Sequence, residues 1–239
     1  MIIAIDGTSG SGKSTIAKQL AKNLNFGFFS AGELYRAITY KVLTLNIKED
    51  EDEKLKNLID NTIINYYYDG TKNVMLIDNI DITDKLHKEE ISNFVSKISH
   101  KPFIREFVRK LQRNTAVENE NIVMEGRDIG SVIFPNADLK IYVDCRIETR
   151  AQRRMGDYKK LGEEVSLESV VEALKERDYN DTHRELSPLV MSKNSFLIDT
   201  TFNNIQECLK LIYEEMLRRN LITYNFLKER NIELKNIHA

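Results

Sequence analysis

Short apolar runs alternate with longer stretches in which apolar positions recur every three or four residues. Residues 2–5 (Ile-Ile-Ala-Ile) form an unbroken apolar run that stops at Asp6-Gly7, the pattern of a strand buried on both faces of a parallel sheet. After a turn rich in Gly and Ser, Ile16, Ala17, Leu20, Ala21 and Leu24 mark one helical face, with Lys18, Lys22 and Asn23 opposite. The pattern predicts a second strand over 26–30 and a second helix over 32–45. Strand-like runs recur at 122–124, 139–143 and 196–198, with helical patterns between them. Strands alternating with helices imply right-handed crossovers and a parallel sheet covered on both faces, an α/β fold.

One segment breaks this rhythm. Residues 62–68, 74–79 and 80–83 are short strand-like runs separated by turn residues, Asp69-Gly70 among them. They predict a small antiparallel sheet inserted into the α/β domain. Helical stretches follow at about 88–99 and 103–115, and a terminal helix is expected from Arg219 onward. No Pro- or Ser-rich linker and no internal repeat divides the chain, so 239 residues are expected to form one domain with an insertion.

Composition removes several function classes. Hydrophobic residues make up 41% of the chain, enough for a normal core, and the formal charge of −2 gives no bulk attraction to nucleic acid or membrane. Local basic clusters must then carry any phosphate chemistry. Cys145 and Cys208 are the only cysteines, with no CxxC pair and no His/Cys cluster at zinc spacing. That favours a reducing compartment over a disulfide framework or structural zinc. The start, MIIAIDG, lacks the charged and apolar regions of a signal peptide, and no run approaches a membrane span. A cytoplasmic protein is expected.

The sharpest chemical signal is Gly7-Thr8-Ser9-Gly10-Ser11-Gly12-Lys13-Ser14, which fits GxxxxGK followed by Ser or Thr, with Thr15 next. Glycines let consecutive backbone N–H groups turn inward around a phosphate, and the following helix adds its positive dipole end. Lys13 can reach the β- and γ-phosphates of ATP, and the Ser14 hydroxyl can ligate Mg²⁺. The motif lies between a strand and an amphipathic helix, as this mechanism requires. It does not say what is phosphorylated, since kinases, GTPase switches and mechanical ATPases all use it.

Four further clusters bear on the acceptor. Arg36 follows the second strand in Ser30-Ala31-Gly32-Glu33-Leu34-Tyr35-Arg36, near the sheet edge where ligands of open α/β folds bind. Glu125-Gly126-Arg127-Asp128 follows the 122–124 strand at the same edge. Arg150, Arg153 and Arg154 share one helical face and precede the polar stretch 156–164. Arg177, Asp181 and Arg184 share another. Taken singly, each is as well explained as a surface arginine, a solvated turn, a basic helix end or a surface ion pair. Four such clusters beside a phosphate cradle point instead to a second phosphate, with the 150–165 segment as a lid whose arginines stabilise transfer.

Here the chain resembles the bacterial cytidylate kinases, from residue 1 to about 217. The matching text is IDGTSGSGKST, AGELYR, EGRDIGSVIFPNADLKIYVD, RAQRR and ERDYNDTHRELSPL. The segment ending in NFVSKISHKPFIRE lies where that family carries its enlarged nucleotide-binding insert. The resemblance implies a P-loop NTPase-type parallel five-stranded sheet flanked by helices, an inserted antiparallel subdomain for the monophosphate, and a short lid. The core would be 1–60 and 102–217, the insert 61–101, the lid about 150–165 and the C-terminal extension 218–239. By the same resemblance, Arg36, Arg127 and Arg177 hold the acceptor phosphate, Ser96, Arg105, Asp128 and Arg184 contact cytosine, and Asp181 contacts the ribose. Two positions depart from the family: Ser30-Ala31-Gly32 replaces Asp-Ser-Gly or Asp-Thr-Gly, and His87 replaces an arginine. Both bear on acceptor affinity rather than on reaction type.

The expected reaction is transfer of the ATP γ-phosphoryl group to CMP or dCMP by a monomeric enzyme with Mg²⁺, needing neither nucleic acid nor membrane. Lys13, Arg127, Arg153, Arg154 and Arg177 are its candidate catalytic residues, and residues 7–15 its donor site. Glu125 is a candidate to orient magnesium-bound water. Cytosine donates from N4 and accepts at N3 and O2, which suits Asp128 and Ser96 as acceptors and arginines as donors. Two alternatives remain at this stage: a kinase of UMP or AMP, differing only in its base pocket, and a non-catalytic nucleotide switch. The chain has no NKxD-type guanine motif, which disfavours the switch.

Overall fold

The computed structural model describes residues 1–68, 73–161 and 164–234. The expected turn at Asp69-Gly70, positions 162–163 of the expected lid and the end of the C-terminal extension lie outside the described residues. The chain runs β1 (Ile2–Gly7), α1 (Lys13–Leu24), β2 (Gly27–Ser30), α2 (Ala31–Thr44), α3 (Asp52–Asp60), β3 (Ile64–Tyr68), β4 (Asn73–Ile77) and β5 (Ile80–Asp81). It continues through α4 (Glu89–Ile98), α5 (Pro102–Glu118), β6 (Ile122–Gly126), β7 (Leu139–Asp144), α6 (Ile147–Leu161), α7 (Leu167–His183), β8 (Phe196–Asp199), α8 (Ile205–Arg218) and α9 (Tyr224–Glu229). Five strands form a parallel sheet in the order β2-β6-β1-β7-β8, and β3-β4-β5 form a separate antiparallel sheet. The chain divides into two compact units, Met1–Phe26 with Val123–Ala239, and Gly27–Ile122.

In the first unit, β1 lies parallel to β7 from Ile3↔Leu139 to Gly7↔Val143, and β7 lies parallel to β8 from Ile141↔Phe196 to Asp144↔Asp199. Ile3, Ile5, Val143 and, from the helices, Ile16, Leu20, Leu24 and Ile212 are almost wholly buried. This is the double-sided burial that the unbroken apolar runs predict. The helix expected from Arg219 does not start there. Asn220 takes a left-handed φ of 56°, and the N–H groups of Asn220 and Leu221 turn back to the carbonyls of Leu217 and Met216. That closure ends α8 at Arg218. A short α9, N-capped by Thr223, follows.

In the second unit, β3 and β4 pair from Ile64↔Ile77 to Tyr68↔Asn73. The strand expected over 74–79 ends at Ile77, because Asp78 (φ 51°) and Asn79 (φ 67°) both take left-handed conformations and close a two-residue hairpin. β5 is only Ile80–Asp81, since the Asp81 carboxylate accepts the Thr83 N–H at 2.9 Å and turns the chain into a 3-10 turn, Thr83–Lys85. The helix α3 is absent from the sequence reading. Its buried residues are only Leu55, Leu58 and Ile59 among acids and lysines, too few to display a period.

Candidate active site

The cradle is shaped by two glycines for different reasons. A Cβ on Gly7 would stand 2.1 Å from the Val143 carbonyl oxygen, so the end of β1 can pass β7 this closely only without a side chain. Gly12 holds φ at 87° immediately before α1, a conformation that favours glycine. No side chain caps α1, which leaves its first N–H groups for a ligand. The Thr8 carbonyl gathers the far side of the loop: it accepts from Ser11 Oγ at 2.9 Å and from Lys13 Nζ at 3.4 Å. Ser14 and Thr15 are exposed on the first turn of α1.

Lys13 is buried, with Nζ 3.9 Å from Glu125 Oε2 at the end of β6. Burial, reinforced by the positive charges of Arg127 and Arg177 and opposed by Glu125, pulls its ammonium down to about 7. An anionic ligand would restore the charge. Next to Glu125, Arg127 Nε lies 2.8 Å from Asp181 Oδ2, and Arg184 Nη1 lies 3.5 Å from Asp181 Oδ1. Burial alone would raise the Asp181 carboxyl, yet Arg127, Arg177 and Arg184 hold it below the ordinary range. Arg127 answers in kind: burial works against its charge, and Asp181 more than offsets this. Arg177 is exposed on α7 and Asp128 is buried. Arg184 also donates from Nε to the Ser187 carbonyl at 2.7 Å, which turns the chain away from α7. The first unit therefore brings the cradle, Lys13, Glu125, Arg127, Asp181 and Arg184 into one electrostatic neighbourhood.

The expected lid arginines separate into three environments. Arg150 is buried and braces the cradle from behind: Nη1 donates to the Ser9 carbonyl at 3.0 Å, Nε to the Cys145 carbonyl at 2.9 Å, and Nη2 pairs with Asp178 at 2.6 Å. Arg153 is exposed along much of its length, and its guanidinium reaches the Thr200 carbonyl at 2.6 Å and the Thr200 hydroxyl at 3.1 Å. Arg154 is exposed and stacks over Tyr158, 5.1 Å from the ring centroid.

Within the second unit, Arg36 on α2 donates from Nη1 to the Leu86 carbonyl at 3.2 Å and to Ser92 Oγ at 2.8 Å. Arg105 on α5 is buried, donates from Nη1 to the Ser99 carbonyl at 3.2 Å and lies 5.8 Å from the Tyr35 ring centroid. Ser96 is exposed on α4, its hydroxyl 3.4 Å from the Asn93 carbonyl. At the first departure from the family text, Ser30 Oγ accepts the Glu33 N–H at 3.4 Å and so caps α2, while Ala31 is buried beside it. His87, at the second, is exposed.

Sequence reasoning missed two supports. Asp6 is buried and accepts the Ile129 and Gly130 N–H groups at 2.8 and 2.7 Å, fixing the loop that follows Arg127-Asp128. Burial, partly countered by those two bonds, pushes its carboxyl up to about 7. An acid ending an otherwise apolar strand was the available signal. The Thr200 hydroxyl accepts from Arg153 and donates to the Ser11 carbonyl at 2.7 Å, tying the end of β8 to the cradle. Nothing in the local sequence marks it.

A five-stranded parallel sheet, a glycine-built phosphate cradle at the end of its first central strand and a guanidinium cluster beside it define a P-loop phosphotransferase. The profile described as cytidylate kinase matches residues 3–218, and the chain belongs to the cytidylate kinase family. Among curated relatives, the cytidylate kinase of Caldicellulosiruptor saccharolyticus is 40% identical over 89% of this chain and 93% of its own length. That of Caldanaerobacter subterraneus subsp. tengcongensis is 41% identical over 91% and 95%, and that of Streptococcus pneumoniae 39% identical over 91% and 97%.

Proposed function

We propose that the protein transfers the γ-phosphoryl group of ATP directly to the phosphate of CMP or dCMP, giving ADP and (d)CDP. Membership of the cytidylate kinase family supports the reaction. The observation that carries the assignment of residues is the buried Lys13 beside Glu125, with the Arg127–Asp181–Arg184 cluster in the same unit. A phosphate oxygen of the acceptor attacks the γ-phosphorus, and the bond from that phosphorus to the β,γ-bridging oxygen breaks. The acceptor is already anionic, so no general base is required.

The residues at 7–15 hold the donor phosphates, and Lys13 follows the charge from the γ-phosphoryl group to the leaving oxygen. Arg36, Arg127 and Arg177 are assigned to the acceptor phosphate, Ser96, Arg105, Asp128 and Arg184 to cytosine, and Asp181 to the ribose. Arg153 and Arg154 are assigned to the charge that develops in transfer. The oxygens available suit Mg²⁺, a hard cation that keeps several waters and nucleotide phosphates as ligands. The exposed Ser14 hydroxyl would be its protein ligand, and Glu125 would orient the water bound to it. Mg²⁺ would supply charge neutralisation at the donor phosphates. The protein is proposed to be cytoplasmic, which its free, buried Cys145 and Cys208 support, and to act as a monomer. No helix among the described residues is long and apolar enough to cross a membrane.

A coupled assay with ATP–Mg²⁺ against CMP, dCMP, UMP, AMP and GMP tests the reading. CMP and dCMP are expected to give the highest kcat/KM. UMP presents an oxygen where cytosine has its N4 amino group, and an unpaired buried group of this kind costs about 1–3 kcal/mol, roughly 5- to 150-fold. Equal turnover of AMP and CMP would overturn the base assignment.

A further inference from the structure

The family match ends at residue 218, and the chain does not. Beyond it, α9 and the described residues that follow it return to the C-terminal end of α1, the helix that carries the cradle. Leu227 and Ile222 are buried, and Arg230 Nε donates to the Leu24 carbonyl at 3.0 Å. A cation there sits at the negative end of α1, while the positive end faces the phosphate site. The Arg230 guanidinium also packs on Phe226, 3.6 Å from its ring centroid, so its direction is fixed.

With this anchoring, Arg230, Asn231, Ile232 and Glu233 line a groove of the first unit, a space of about 1180 Å³. The groove opens at Ser11, Gly12 and Thr15, the exit of the cradle. It then follows α1 (Ile16, Asn23) and α8 (Ile205, Leu209, Tyr213), which Asn23 Nδ2 ties together by donating to the Tyr213 hydroxyl at 2.9 Å, and takes in Asn203 and Asn204. Its lining combines apolar side chains (Ile16, Ile205, Leu209) with amides, hydroxyls and the charged Arg153 and Glu207, a mixture that suits a nucleobase and ribose. A nucleoside joined to phosphates held at residues 7–15 must leave the cradle at some point, and the groove borders the cradle at Ser11, Gly12 and Thr15. About 1180 Å³ is also above the usual 300–1,000 Å³ for a small-molecule site. What lines the far side therefore decides how closely a bound nucleoside is enclosed.

We propose that residues Arg230–Glu233, outside the part of the chain shared with the family profile, form the outer wall of the donor-nucleoside groove and set how tightly ATP is held. The inference rests on the donor-site reading above. On this account the wall contributes to binding of ATP and ADP and not to binding of CMP. Arg230 acts by holding the wall against the end of α1 and is a positioning residue.

The test uses two variants, so that a folding defect in one does not decide the matter. A chain ending at Glu229 removes the wall but keeps Ile222, α9 and Leu227. Ile232→Trp keeps every residue and fills the groove from the rim. For each, KM for ATP and for CMP are measured, together with the thermal shift produced by ADP–Mg²⁺ alone. Expected are a rise in KM for ATP of about fivefold or more, equivalent to one ordinary contact, and a smaller ADP-induced shift. KM for CMP and the ligand-free melting temperature of Ile232→Trp are expected to stay near those of the parent. KM for ATP unchanged in both variants, or KM for ATP and CMP rising together, overturns the proposal. Failure of the donor-site reading is separately visible: the Lys13→Ala full chain would then still bind ADP–Mg²⁺ as tightly as the parent.

Discussion

The two units present charge to a ligand by different means. In the first, the cradle is made by main chain: Gly7 lies where a Cβ would meet the Val143 carbonyl at 2.1 Å, and Gly12 turns the chain at φ 87° into α1. Lys13 opens the helix that follows this loop, Arg127 follows β6, and Arg150 on α6 is braced on the Ser9 carbonyl of the loop itself. In the second, the assigned residues are side chains on three separate helices, α2, α4 and α5, tied to nearby carbonyl and hydroxyl oxygens. A main-chain site has little freedom to adjust and is destroyed by one wrong substitution. A site of side chains on helices can be retuned one residue at a time. Substitutions in the first unit should therefore abolish chemistry or stability, whereas those in the second should shift affinity.

The largest effect is expected from Lys13→Ala. Removal of a charge aimed at the transferring phosphoryl group should lower kcat by about 10²- to 10³-fold, while circular dichroism and melting temperature stay close to the parent. More than a tenth of parental turnover would sink the donor-site assignment. The same lysine gives a pH signature. Its ammonium is held near 7 without ligand, and nucleotide phosphates must raise it. ATP binding above pH 7 should therefore take up a proton and weaken as pH rises. Calorimetry in two buffers of different ionisation heat reads the proton directly, and Lys13→Ala should erase it.

Asp181→Ala comes next. It leaves Arg127 half-buried without its carboxylate, a change that costs about 3 kcal/mol when one member of a buried pair is removed. The pH dependence has a definite sign. The folded Asp181 carboxyl lies below its ordinary range. Its contribution is thus fully present above the unfolded value of about 3.9 and is lost as pH falls through the lower folded value. Parent and variant melting temperatures should differ most at pH 6 to 7 and converge in acid. A constant gap down to pH 2 would show that lost packing, rather than the charge pair, explains the loss.

The contrast between units also explains what could be read from sequence. The cradle was legible because main-chain geometry demands glycine at fixed spacing, and Lys13 and Ser14 follow from it. Arg127 and Asp128 were legible as candidates because a glycine turn after an apolar strand places them at the sheet edge. Ser96 and Arg105 carry no such mark. A serine and an arginine on amphipathic helices satisfy any surface, and only resemblance to the family singled them out. Arg150 was grouped with Arg153 and Arg154 by helical spacing, yet it is buried against Ser9 and Asp178. Helical periodicity gives the face of a helix and not what lies against that face. Asp78 and Asn79 ended β4 early for a related reason, because Asp and Asn fit both a strand end and a left-handed turn.

Arg177→Ala separates an exposed surface charge from a phosphate ligand. An exposed ion pair contributes at most about 1 kcal/mol, whereas a charge-assisted bond to phosphate contributes about 1.5–3 kcal/mol, or roughly 10- to 150-fold in kcat/KM. Arg177 is exposed on α7, so its loss should leave stability almost unmoved while kcat/KM for CMP falls by at least tenfold. Kinetics within a factor of two of the parent would return it to the surface.

The smallest effect, Ala31→Ser, tests whether the second unit can be retuned. The family places a hydroxyl at this position, and here the neighbouring hydroxyl is already committed: Ser30 Oγ accepts the Glu33 N–H, and the Glu33 carboxylate accepts the Tyr66 hydroxyl at 2.6 Å. Ser30 Oγ therefore holds the start of α2 as an acceptor. Ala31 is buried, so a new hydroxyl there needs a partner, and leaving it unpaired costs about 1–3 kcal/mol. If CMP supplies that partner, KM for CMP should fall by about two- to threefold, and the ligand-free protein should melt slightly earlier than the parent. If a protein carbonyl supplies it, neither quantity should move. A severalfold rise in KM for CMP would show that the backbone at the start of α2 differs from the family's. The acceptor residues carried over on that likeness, Arg36 first among them, would then need to be reassigned.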